Sequence, residues 1–211
     1  CLDNGGNAAL VIDVARAIQA TQPHPRRTVR FLLFGAEEQG LLGSKAYARQ
    51  HRAELDRVVA MMVHDIGVGR ISGYSLGGRR EIEGAVTESL APVASRGATT
   101  HTTDAFFGTD HFDFLLEGVP TLVANQDTTE YVPNYHAQSD TFDKVDVAEL
   151  RNQAGIAAAV AYNLAERPER PAARLNRAEV EKLLRETRLD DQLKFLGLWE
   201  EWTRGERGRV N

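Results

Sequence analysis

Two kinds of hydrophobic pattern alternate along this chain, and their alternation predicts a layered α/β domain. Segments with apolar residues three or four positions apart are interrupted by short, nearly continuous apolar runs. We predict helices over 8–18, 41–51, 81–94, 147–165, 176–184 and 190–202, and strands over 28–34, 57–63, 71–76 and 120–124. The runs at 28–34 and 57–63 lack alternation, which is typical of strands that are buried on both faces.

A proline-rich segment ends this alternating pattern. Residues 167–171 read Arg-Pro-Glu-Arg-Pro and follow the long helix, so they predict a boundary between residues 1–167 and a helical extension over 168–211. The two helices of the extension are amphipathic and carry Leu183, Leu184, Leu193, Leu196, Trp199 and Trp202. Such helices fit docking on the domain or on a partner chain, so the extension is also a candidate for homo-oligomer formation.

Composition narrows the class of protein without identifying it. The 211 residues are 42% hydrophobic and 26% charged with a formal net charge of -5, which describes one ordinary globular domain with an appendage. The sequence has no broad excess of basic residues, so it does not predict nucleic-acid binding. No apolar run approaches the roughly 20 residues of a membrane helix. Cys1 is the single cysteine, which excludes an intrachain disulfide and a thiolate zinc cluster.

Several acidic residues follow the predicted elements at points where ligand sites form. Glu37 and Glu38 come directly after the first predicted strand, Asp65 after the second, and Asp3 stands just before the first helix. His136 lies in a polar loop before the long helix. Loops at the carboxyl ends of strands converge on a crevice, and clustered carboxylates repel one another unless a cation joins them. Oxygen and imidazole ligands favour zinc.

Adjacent glutamates can divide the work of metal-assisted hydrolysis. One binds the metal, and its neighbour accepts a proton from the water on that metal. A Glu-Glu pair alone is a weak signal, because most such pairs are solvated surface charge. Its position directly after an apolar run makes Glu37 and Glu38 the first candidates for this chemistry.

A series of motifs in fixed order resembles the M28 family of zinc exopeptidases, with carboxypeptidase Q-like and aminopeptidase-like members the most similar. The resemblance covers about residues 1–166, and Gly35-Ala36-Glu37-Glu38-Gln39-Gly40-Leu41-Leu42-Gly43-Ser44 is its most specific part. The other matching segments are Asp3-Asn4-Gly5, Asp65, Gly108-Thr109-Asp110 with Phe112, Gly118-Val119-Pro120, and Tyr135-His136 with Asp140-Thr141.

The resemblance implies a fold and a set of roles. It implies a three-layer α/β/α, phosphorylase/hydrolase-like domain with a partial mixed central sheet, and two zinc ions that hydrolyse short peptides in an aminopeptidase or dipeptidase reaction. Asp3 is then the residue that bridges the metals, Glu37 the general base, and Glu38, Asp65 and His136 further ligands. The implied substrate-binding candidates are Asp110, His111 and Tyr135; for His111 a structural role, and for Tyr135 simple packing, is the alternative.

One implied zinc ligand has no counterpart in this sequence. In the family that the sequence resembles, this ligand is a histidine from a His-x-Asp segment before the Asp-Asn-Gly loop. We therefore expect the chain to be truncated at its amino end. We also expect the 211 residues alone to have weak or no activity. The resemblance also suggests a periplasmic or secreted protein. Two alternatives remain: a single-zinc glutaminyl-cyclase-like acyltransferase, and a non-catalytic receptor or binding domain on the same fold.

Overall fold

The computed structural model describes residues 1–210 as an α/β fold around a mixed three-stranded sheet. The strands are β1 (Met61–Val63), β2 (Ile71–Ser75) and β3 (Thr121–Gln126). β3 is central, with β1 parallel on one side and β2 antiparallel on the other. The α-helices are α1 (Gly5–Ala20), α2 (Leu42–Gln50), α3 (Glu83–Leu90), α4 (Phe112–Leu116), α5 (Tyr131–Asn134), α6 (Val147–Glu166), α7 (Arg177–Glu186), α8 (Leu189–Phe195) and α9 (Trp199–Thr203).

Alternate side chains of the sheet point into two different packed layers. Met62 and its partner Leu122 face the side on which α6 lies, together with α1 and α3. Met61 points the other way and packs with Phe114 of α4 and Leu55. This alternation follows from the two-residue period of a strand and produces helix, sheet and helix layers. None of the helices in residues 1–210 is long and apolar enough to cross a bilayer.

The long helices agree with the pattern of apolar residues. α6 buries Ile156, Ala157 and Val160 completely and begins at the N-cap Asp146, whose side chain accepts the N–H groups of Ala148 and Glu149. The predicted helix over 81–94 has α3 at its centre and 3₁₀ turns over Arg80–Ile82 and Ala91–Arg96 at its ends. Such turns are a common way for helices to begin and end.

The prediction of a buried strand over 28–34 is wrong. These residues are extended but have no strand partner within residues 1–210, and Leu33 is 60% exposed. They and residues 57–63 line the same groove of about 960 Å³. The second predicted strand is shorter than expected, since only Met61–Val63 pairs and residues 52–57 form a 3₁₀ helix. The apolar sequence of residues 28–34 therefore indicates strand propensity, but a strand forms only where a second strand lies beside it to pair with.

The predicted helix over 190–202 is also wrong in its continuity. It is two short helices, α8 and α9, separated at Gly197, whose φ of 71° is left-handed and interrupts a helix. The preceding helix α7 begins with a capping box between Asn176 and Glu179. All three helices share one apolar cluster with Leu41 and with Phe112, Leu115 and Leu116 of α4, so they pack directly on the preceding part of the chain, and the boundary after residue 167 stays a prediction.

Candidate active site

Three predicted metal ligands lie together at one edge of the fold. Atoms of Asp3, Glu38 and His136 that could bind a metal lie within 4.8 Å of one another. His136 Nε2 is 3.0 Å from Glu38 Oε2 and 3.4 Å from Asp3 Oδ2. Glu38 follows Asp3 by 35 positions and His136 follows Glu38 by 98, yet the three side chains converge on one point.

The loop that carries Asp3 is held by Asp140, which is distant from it in sequence but adjacent in the fold. Asp140 accepts the backbone N–H of Leu2 at 2.6 Å and that of Asp3 at 3.0 Å. The peptide bond between Asp3 and Asn4 is cis. Tyr131 donates its hydroxyl to Asp3 Oδ2 at 3.4 Å, the same oxygen that lies 3.4 Å from His136 Nε2. Charge-assisted hydrogen bonds of this kind fix the orientation of a carboxylate.

Glu37 and Glu38 lie on a tight turn between residues 28–34 and α2. Ala36 and Leu41 adopt left-handed φ angles of 58° and 61°, and the N–H groups of Gly40 and Leu41 both donate to the Glu37 carbonyl, at 2.9 and 2.8 Å. Left-handed backbone costs about 1 kcal/mol or more at a non-glycine residue, so the surrounding structure must impose this turn.

Negative charge dominates the electrostatics of the site. Burial, together with the nearby charges of Glu38, Asp110 and Asp3, raises the pKa of Glu37 to about 7. Burial and the charges of Glu37, Asp3, Asp110 and Glu38 raise the pKa of Asp65 to about 8. Carboxyl groups that share a site compete for ionisation, and each raises the pKa of its neighbours.

The donor set fits a zinc ion, which would be held by Asp3, Glu38 and His136. Two carboxylates and one imidazole already converge; burial, and after it the charge of Glu38, raises the pKa of Asp3, and a divalent cation would relieve the repulsion between the two carboxylates. Asp65 is not among the three converging ligands, but it lines the same groove as Asp3, Glu37 and Glu38, and Asn4 Nδ2 donates to it. Asp65 therefore belongs to the acidic cluster but is not one of the three converging ligands.

The three predicted substrate contacts lie in different environments. Asp110 is partly buried beside Ser44 and contributes to the raised pKa of Glu37. Tyr135 is exposed and its ring stacks on His136 at 3.8 Å between centroids. His111 is only 1% exposed, and its ring forms hydrogen bonds with the Thr109 side chain and the Phe106 carbonyl. This environment favours the structural alternative for His111.

Sequence reasoning missed Tyr131 and the role of Asp140. Tyr131 lies at the start of α5, within the polar stretch that precedes His136, but its hydroxyl reaches Asp3 across 128 positions of sequence. No local spacing rule gives that contact. Asp140 was part of a matching motif, and its acceptance of two N–H groups in the Asp3 loop becomes evident only when both loops are seen together.

Comparison with known proteins places this arrangement among peptidases. The family model described as Peptidase family M28 matches residues 1–161. Carboxypeptidase Q from Rattus norvegicus is 28% identical over 168 residues, which cover 80% of this chain and 35% of the relative. The chain thus spans little more than a third of that protein's length.

Solved structures give the same result. A peptidase M28 precursor from Shewanella amazonensis superposes with a TM-score of 0.74 at 29% identity, covering 80% of this chain and 38% of the other. An aminopeptidase from Aneurinibacillus sp. strain AM-1 superposes with a TM-score of 0.65 at 26% identity, covering 81% and 41%. Both matches cover four-fifths of this chain, the larger share of the α/β domain.

Proposed function

This chain belongs to peptidase family M28, and on that premise we propose that it carries active-site residues of a co-catalytic zinc exopeptidase that cleaves short peptides. The observation that supports the proposal best is the convergence of Asp3, Glu38 and His136 beside Glu37, whose pKa of about 7 suits a general base at neutral pH.

In the proposed mechanism, Glu37 is the group of this chain that accepts the proton and returns it. Zinc, when bound, supplies the positive charge that polarises the peptide carbonyl and makes water a better nucleophile. The Glu37 carboxylate accepts the proton of the attacking water and returns it to the leaving amine nitrogen as the C–N bond breaks. Asp3, Glu38, His136 and Asp65 would hold the two zinc ions, and Asp3 would contribute to both metal positions.

Substrate recognition is the second part of the proposal. The rim of the site carries Tyr135, which is exposed and stacked on His136, and Asp110, which is partly buried beside Glu37. A free α-amine on a short peptide would pair well with this acidic cluster. That charge complementarity favours aminopeptidase or dipeptidase action over recognition of a terminal carboxylate, and it fits the aminopeptidase from Aneurinibacillus among the similar proteins.

The experiment compares Glu37→Gln with the exposed control Glu169→Gln in the protein expressed at its full natural length. Hydrolysis of dipeptides and of aminoacyl anilides is measured together with the zinc bound per chain. We expect Glu37→Gln to bind as much zinc as the parent and to lose at least about a hundredfold in kcat, in the range of general-base contributions. Parental turnover in Glu37→Gln would refute the assigned role.

Two outcomes would favour the other candidate functions. Cyclisation of glutaminyl peptides with one zinc per chain would indicate the acyltransferase, and peptide binding without turnover or zinc would indicate a receptor domain. The cluster of converging ligands argues against the receptor, because clustered carboxylates without a cation only destabilise the fold.

A further inference from the structure

The carboxyl-terminal helices α7–α9 lie beyond residue 161, where the match to the family model ends, yet they pack directly behind the active-site loops. We call α7–α9 the helical platform. Its apolar residues form one cluster with residues of the domain: Val180, Leu183, Leu184, Leu189, Leu193 and Trp202 from the platform, and Leu41, Phe112, Leu115 and Leu116 from the domain. A cluster of this size is the main attachment of the platform to the domain.

Leu41 joins this cluster to the general base. Its side chain is 2% exposed and lies in the cluster, while its backbone N–H donates to the Glu37 carbonyl at 2.8 Å. Leu41 is also the left-handed residue that closes the Glu37 turn. A single residue therefore has its side chain held by the platform and its backbone bonded to Glu37.

A second active-site loop lies on the same surface. Ala105 and Phe107, in the loop that leads to Asp110, pack against the platform cluster, and Phe107 meets the ring of Phe112 at 4.9 Å. Ser44 connects the two loops, because its hydroxyl donates to the Leu41 carbonyl at 3.2 Å and its side chain lies beside the Asp110 carboxyl group. The two loops that bring Glu37 and Asp110 together are thus supported from the same side.

Ion pairs fix the platform and the segment after it in register with these loops. Lys45 of α2 pairs with Glu201 of α9 at 2.6 Å. After α9, Arg207 makes two bonds of 2.8 Å to Asp113 of α4, and both side chains are almost fully buried. A bidentate, buried pair permits one arrangement of α4 relative to the terminal segment, whereas apolar contacts alone permit sliding.

We propose that the helical platform is a positioning element for Glu37, acting through Leu41, with Leu193 as a positioning residue. Leu193 is fully buried in the cluster and is not among the residues that line the groove of the carboxylate site. Loss of its packing should let the Leu41 side chain shift, weaken the two N–H bonds to the Glu37 carbonyl and leave the base misplaced. The catalytic part of this inference rests on the proposed function; the coupling of Leu193 to the Glu37 turn does not.

The test compares Leu193→Ala with Leu90→Ala, a matched substitution of a buried leucine in the other main cluster. Hydrogen exchange is measured at the amides of Gly40 and Leu41 in the full chain. We expect Leu193→Ala to speed exchange at these two amides by at least about tenfold, and Leu90→Ala to leave them near parental values although it destabilises the fold by a similar amount. The volume-conserving Leu193→Met should restore slow exchange.

Steady-state kinetics in the protein at its full natural length give the second readout. We expect Leu193→Ala to lower kcat about tenfold or more with KM within about twofold, since the base and not the binding surface moves. Equal loosening of the two amides in both alanine variants, or no loosening in either, would overturn the inference. If Leu193→Ala does not fold, Leu193→Val should show the same pattern at smaller size. Absence of any hydrolysis by the parent protein would refute the proposed function and leave the exchange result valid.

Discussion

The acidic site should make the zinc-free protein less stable as the pH rises through neutrality, and Asp65 is the residue on which to measure the effect. Burial and four neighbouring carboxylates raise its pKa from 3.8 to about 8. The folded protein therefore keeps a proton on Asp65 at pH values where the unfolded chain has released it. Because the folded state binds more protons over this interval, unfolding free energy falls with pH between about 4 and 8.

The size of the effect follows from the number of protons retained. One proton retained only in the folded state costs about 1.4 kcal/mol per pH unit, so the upper limit between pH 6 and pH 8 is about 2.7 kcal/mol. Solvent reaches part of this cluster, which reduces the expectation to about 1–2 kcal/mol. His64 and His111 act with the opposite sign, because burial lowers the pKa of each to about 4, and their contribution is complete only above about pH 7.5, one unit above the ordinary histidine pKa.

The assay is urea denaturation of the metal-free protein at half-unit steps from pH 6.5 to 8.5, with Asp65→Asn as the matched variant. The amide keeps an acceptor oxygen for the Asn4 side chain and cannot ionise. We expect the parent to lose stability across the series and the variant to lose clearly less. Added zinc should reverse the slope, because metal binding requires deprotonated ligands and becomes stronger as the pH rises. Parallel pH curves for parent and variant would refute the reasoning.

Three other changes give outcomes that can be read directly. Arg207→Met should leave the buried Asp113 carboxylate unpaired and cost about 3–5 kcal/mol in urea denaturation, and combining it with Asp113→Asn should recover much of that loss; additive losses would contradict a coupled pair. His136→Ala should weaken zinc binding by at least about tenfold in calorimetry, because an imidazole ligand is removed; unchanged affinity would exclude it as a ligand. Asn176→Ala should cost about 1 kcal/mol by removing the capping box of α7, and no change in the denaturation midpoint would contradict that role.

The parts of this fold that could be predicted are those that depend on local sequence. α6 was predicted within one residue of its observed end because its own apolar stripe and the Asp146 cap specify it. Residues 28–34 were misassigned because pairing is a property of two segments, and no partner strand lies within residues 1–210. Gly197 could have indicated the break between α8 and α9, since glycine after an amphipathic stretch is a common helix end.

Motif order predicted which residues would be near the site, and physical contacts decided what each one does there. Asp3, Glu38 and His136 converge as expected, while Tyr131 bonds Asp3 across the domain and His111 is buried under its own loop. Sequence spacing carries no information about burial of a single histidine in a loop. The Phe106 ring lies 5.0 Å from that of His111, and the Phe106 carbonyl forms a hydrogen bond with the His111 ring.

The site and the helical platform are connected by one energetic argument. Glu37, Glu38, Asp65 and Asp3 repel one another, and the left-handed backbone at Ala36 and Leu41 adds further cost, so the loops that carry them cannot be stable by themselves. Their stability has to come from apolar contacts that lie outside the acidic surface. The cluster around Leu41 and Leu193 provides such contacts on the opposite side of the Glu37 turn, where burial does not conflict with charge. Zinc would relieve the repulsion from the solvent side, so loss of the metal and loss of platform packing should loosen the same turn.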